Sequence, residues 1–162
     1  MSNWKFEVCG YCEKTKASIH YDKYNPTRGG SYIELPKWVS SKRACINIKS
    51  EDKKCSTYCV QRSVFRLHER DNPERIRHYD TFNCNLINCD CTKYPCSRND
   101  KTRFEELNSD LISMNVSQTL GESIFTYRSA KVKRAKHHIN ILVIEEQGNQ
   151  HYVLIRGLTK LT

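Results

Sequence analysis

The clearest hydrophobic pattern lies at the end of the chain. Ile139 to Glu145 is an almost unbroken apolar run, Gly148-Asn149 is a turn signal, and His151 to Arg156 resumes the apolar pattern. Two β-rich runs flanking a glycine-containing turn predict a hairpin. Leu111 to Val116 and Ile124 to Tyr127 have the same strand character. The first half reads differently. From Ser56 to about His68, Cys59, Arg62/Ser63 and Arg66/Leu67 recur at spacings of three and four, and Tyr58, Val64 and Phe65 add apolar bulk. That spacing predicts a helix. Asn72-Pro73 predicts a second helix, with Asn72 as N-cap and Pro73 in the first helical position, running to about Tyr79. Thr102 to Asn108 suits a short third helix. Tyr32 to Pro36 reads as a short extended piece ended by proline. Ala44 to Ile48 is a short apolar stretch, and residues 82–100, rich in Asn and Cys, read as loop. Helices come first and strands after, so the predicted class is α+β rather than alternating βαβ.

The chain has 162 residues, enough for one core. The predicted division is an extension over residues 1–30, carrying Cys9-Gly-Tyr-Cys12, and one domain over residues 31–162. Met1 to Glu7 has no apolar signal segment, and no apolar run is long enough to cross a bilayer. The expectation is an intracellular protein, nuclear or cytoplasmic, with no membrane partner. Thiols stay reduced in those compartments, and the odd count of nine cysteines argues against complete pairing. Cysteine chemistry is therefore expected to be catalytic, metal-binding or simply core-packing.

Cys55 sits at the predicted start of the longest helix. Unpaired amides and the helix dipole there favour an anion, lower a thiol's pKa and can hold an oxyanion. His151 opens the last strand, where the following Tyr152-Val-Leu-Ile would fix its ring. A thiol at a helix start facing an imidazole on a strand is the arrangement of a Cys–His nucleophile and base. The alternative is a helix-cap cysteine and an exposed turn histidine.

The segment Cys45-Ile-Asn-Ile-Lys-Ser-Glu-Asp-Lys-Lys-Cys55 resembles the Asn-x-x-x-x-Asp-x-x-Cys stretch of a domain that precedes the protein-primed family B DNA polymerase in Maverick/Polinton-type transposons. The resemblance continues in order through Tyr32 to Pro36, Lys93-Tyr-Pro95, Arg103 to Asn108, Ile112 to Val116, Ile124 to Lys131, His138 to Ile144 and His151 to Leu161. It covers residues 31–161. More distantly, Asp52-x-x-Cys55 with His151-Tyr152 is similar to the ovarian-tumour (OTU) deubiquitinases of the papain-like fold. That likeness implies a helix carrying Cys55 packed on a small, mainly antiparallel sheet carrying His151. It implies Cys55 as nucleophile, His151 as base and Asp52 as the residue shaping the loop beside the thiol. It also implies a peptide or isopeptide substrate, with ubiquitin or a ubiquitin-like protein as partner. Ser56 stands where a bulky apolar residue is usual, and Val153 where an orienting acid often lies. Asn140, Asn47 and Asp52 are the side chains left to orient the imidazole. Three functions stay open: a thiol hydrolase, active or decayed, a non-catalytic accessory domain of the element's polymerase, and a zinc-dependent structural module built on Cys9 and Cys12.

Charge adds to the second. Net charge is +9, with 27 Lys and Arg against 18 Asp and Glu. Lys131, Lys133, Arg134 and Lys136 form a dense basic run expected to contact nucleic acid or an acidic protein. Arg62, Arg66 and Arg70 share one helix face and read as a solvated face. Cys9 and Cys12 have the spacing of half a zinc site, which His20 or the Cys84, Cys89, Cys91 and Cys96 group could complete. No other cofactor is expected.

Overall fold

The computed structural model describes residues 32–65, 72–79, 86–88 and 98–161. The chain there is mixed α+β, built on a five-stranded sheet. Irregular chain from Tyr32 leads through Pro36 into α1 (Lys37–Ser41). Arg43 follows in the left-handed region at φ 47°, a conformation that costs a non-glycine residue about 1–2 kcal/mol. Next come β1 (Cys45–Ile46), α2 (Cys55–Phe65), a 3-10 turn at Ile76–His78 and α3 (Arg98–Leu107). The strands β2 (Ile112–Leu120), β3 (Ser123–Arg128), β4 (His137–Glu146) and β5 (Asn149–Ile155) complete the sheet.

The sheet order is β1-β5-β4-β2-β3. All neighbours are antiparallel except β2 and β4, which run parallel with Ile112 opposite His137 and Gln118 opposite Val143. The expected hairpin is present one residue earlier than its turn signal. Gln147 and Gly148 take positive φ, as the tight primed turns of hairpins require, and Asn149 already belongs to β5. A second hairpin joins β2 and β3 through Gly121, also at positive φ.

Strand alternation gives the sheet two apolar faces. One carries Met114 and Val116, Ile139, Ile141 and Val143, and Tyr152 and Leu154, covered by α2 and by Phe104 of α3. The other carries Leu142, Ile144, Val153 and Ile155, covered by Ile33, Val39 of α1, Ala44 and Leu161. β4 is buried on both faces, which accounts for its unbroken apolar run.

Several local expectations change. The helix expected from Pro73 to Tyr79 is only the Ile76–His78 turn with Arg75 at its N-cap. Tertiary bonds claim this backbone instead: Lys49 N–H donates to the Glu74 carbonyl, Lys49 bridges Arg75, and Tyr79 Oη donates to the Pro73 carbonyl. α3 begins at Arg98, inside the stretch read as loop. Arg62, expected on a solvated face, is buried.

Candidate functional site

Asp52 organises the start of α2. Its carboxylate accepts from the Lys54 N–H at 3.2 Å and from Tyr58 Oη at 2.7 Å, while the Lys54 carbonyl accepts from Tyr58 N–H. The side chain thus ties the loop before Cys55 to the helix's first turn, a local cap that Asp favours. Cys55 is the first helical residue and is buried. One turn on, Cys59 Sγ donates to the Tyr152 carbonyl at 3.4 Å, so α2 lies directly against the strand that carries His151.

His151 is fully buried near the start of β5. Its Nε2 lies 2.7 Å from Asn47 Oδ1. Asn47 Nδ2 donates to the Ile33 carbonyl at 2.9 Å, so the amide oxygen is the atom turned to the ring. The network therefore assigns the hydrogen to Nε2 and leaves the lone pair on Nδ1. Nδ1 is buried and has no hydrogen-bond partner. The Tyr32 ring meets the imidazole edge-on at 5.8 Å between centroids. Burial pushes the His151 pKa down from 6.5 to about 4, so the ring is neutral at neutral pH.

Of the three side chains left to orient the imidazole, Asn47 holds it. Asp52 is engaged by Lys54 and Tyr58. Asn140 stands opposite Ile155 and accepts from Asn115 Nδ2 at 3.0 Å, whereas Ile144 is the β4 residue opposite His151. Four residues of strand, about 13 Å, therefore separate Asn140 from the imidazole's level. Alternation also directs His151 to the face shared by Val153 and Ile144, while α2 packs against the Tyr152 and Leu154 face. The sheet brings the helix of Cys55 to the strand of His151 but forms no hydrogen bond between thiol and Nδ1.

Two neighbouring thiols are kept protonated. Burial pushes Cys59 well up, with Cys55 and Cys45 adding to it, and burial pushes Cys45 up to about 11. On the helix side, Lys101 of α3 supports Tyr152: its Nζ donates to Tyr152 Oη at 2.6 Å and sits 4.1 Å from the ring centroid. No periodicity foretold Lys101 or Tyr32, because both act through neighbours remote in sequence.

In the basic run, Lys133, Arg134 and Lys136 are exposed, while Lys131 pairs with Glu106 at 3.3 Å. That pair is open to solvent and stabilises little. The expected zinc ligands Cys9, Cys12, His20, Cys84, Cys89, Cys91 and Cys96 lie outside the described residues, among which no group of three or more His, Cys, Asp or Glu could hold a metal. No helix among the described residues is long and apolar enough to cross a membrane. Compared with family models, curated proteins and solved structures, the chain matches none.

Proposed function

We propose that this domain is a papain-like thiol hydrolase of peptide or isopeptide bonds, of the mobile-element type its sequence resembles. One observation carries the reading: His151 donates through Nε2 to an amide oxygen that is itself anchored, leaving Nδ1 as an unpartnered base in a dry setting. An Asn or Asp behind the imidazole sets tautomer and orientation in triad enzymes. In the reaction, Nδ1 takes the Cys55 thiol proton as sulfur attacks the carbonyl carbon. Amides at the start of α2 hold the oxyanion, and the leaving amine departs with the proton from Nδ1. Water activated by the same nitrogen then cleaves the thioester.

Cys55 and His151 are both buried. In the described arrangement the helix of Cys55 and the His151 ring meet opposite faces of the sheet, so the reaction requires the start of α2 to shift until sulfur reaches Nδ1. An electrophilic probe built on a ubiquitin-like C-terminus, or a small peptide vinyl sulfone, should label the protein at Cys55. Cys55→Ala should abolish labelling, and Asn47→Ala should slow it at least about tenfold while leaving a folded protein. Probes that leave Cys55 unmodified under native conditions would overturn the reading. They would favour the accessory-domain alternative, supported by the exposed Lys133, Arg134 and Lys136. That alternative predicts salt-sensitive DNA binding lost when these residues are neutralised.

A further inference from the structure

A groove of about 420 Å³ runs past the outer side of β1. Tyr32 and Asn47, which both contact the buried His151 ring, line one part of it and separate the groove from the candidate base. Arg43, Lys49 and Arg156 line the rest, and Arg43 and Arg156 continue into a second hollow of about 210 Å³ with Lys160. All four basic residues are exposed. They come from four places in the sequence: the turn after α1, the bridge after β1, the residue after β5 and a 3-10 turn at Leu158–Lys160. Glu74 also lines the groove, leaving a clear excess of positive charge.

We propose that this groove binds an extended acidic peptide segment and leads it to Tyr32 and Asn47, the neighbours of His151. The charge calls for carboxylates, and clefts lined by one sign of charge concentrate ligands of the other. The shape calls for a peptide. Leu35, Ile46 and Pro73 give the groove apolar wall between its cations. β1 pairs with β5 on one side, and among the described residues no strand pairs with it on the other. An extended chain can lie along such an edge, with alternate side chains meeting different walls. A nucleic-acid strand would want stacked aromatics, and the groove offers Tyr32. Arg43 holds its place in the left-handed region, where glycine is the residue of least strain. Backbone strain of that kind concentrates at functional sites.

The proposal rests on the hydrolase reading only in calling the bound segment a substrate; binding itself is independent of the thiol. The test therefore uses Cys55→Ala protein and a short fluorescein-labelled Glu-rich peptide, followed by anisotropy. The peptide should bind, and an equivalent Gln-rich peptide should not. Affinity should fall about tenfold or more in Arg43→Glu/Arg156→Glu, and fall with added salt. Lys49→Glu/Lys160→Glu gives a second reading if the first pair compromises folding, which thermal melts monitor. Charge reversal of Lys133, Arg134 and Lys136 should leave binding unchanged. Equal binding of the two peptides, or no loss in either groove variant, overturns the proposal. So does a single-stranded oligonucleotide that displaces the peptide and binds more tightly through the same residues, which would make this a nucleic-acid groove. Labelling of Cys55 in the wild-type protein is a separate measurement, so the groove and the hydrolase can fail independently.

Discussion

A histidine with no exposed surface is expensive to protonate, and His151 shows the consequence on both stability and chemistry. Its pKa is about 4 in the folded protein against an ordinary 6.5. Between these values the unfolded chain binds a proton that the native state refuses, so stability falls with falling pH. The contribution is complete above 6.5, drains away between 6.5 and 4, and amounts to roughly 3 kcal/mol. Urea unfolding at about pH 7.5 and about pH 4.5 should show wild type losing some 2–3 kcal/mol more than His151→Gln, whose side chain does not titrate. Equal losses would mean that water reaches the ring. The same neutrality means that no imidazolium is preformed at rest. Cys55 and His151 were legible in the sequence as a thiol at a helix start and an imidazole at a strand start. Their environment was not, because burial is a property of everything packed around them. Asn47 stood in the sequence as one of three candidate partners, and only the Ile33 carbonyl and the path of β1 selected it.

Among elements, α3 is fixed by a buried charge pair. Glu105 pairs with Arg128 at the end of β3 and accepts from Met114 N–H through its other oxygen at 3.1 Å. Arg128 also donates to the Met114 carbonyl at 2.6 Å and to Thr102 Oγ1 at 3.3 Å, and Lys131 N–H donates to Glu105 at 3.3 Å. Helix, two strands and the start of the basic connector thus share one network. Glu105→Ala strands a buried guanidinium and should cost about 3–5 kcal/mol, read as a shifted urea midpoint. Replacing Glu105 and Arg128 together by apolar residues of similar volume should recover much of that loss. A Glu105→Ala protein of wild-type stability would show that the pair contributes nothing. The sequence placed α3 near Thr102 but started it four residues late, since Arg98 to Lys101 carry no apolar period. The Pro73 segment failed in the other direction. A good helix-start signal lost to the bonds that Lys49 and Tyr79 make with its carbonyls, because local propensity is a weak prior against tertiary hydrogen bonds.

For the molecule as a whole, β4 is the shared wall of two apolar layers. Ile141 belongs to the layer under α2 and Leu142 to the layer under α1, and both are fully buried. Ile141→Ala and Leu142→Ala should each cost about 2–5 kcal/mol, despite pointing opposite ways, and each should lower one cooperative unfolding transition. A variant that melts one layer and spares the other would show that the layers fold separately. The apolar periods of β2, β4, β5 and α2 are short-range properties, so the sequence by itself determined that these elements form and that the class is α+β. It also determined where the thiol, the imidazole and the basic run stand on them. The tertiary structure alone decided the parallel pairing of β2 with β4, the face that His151 occupies, the choice of Asn47 over Asn140, and the gathering of Arg43, Lys49 and Arg156 around one groove with Lys160 in the hollow beside it. These depend on which distant segments share a wall, and no local pattern of hydrophobic and polar residues encodes that.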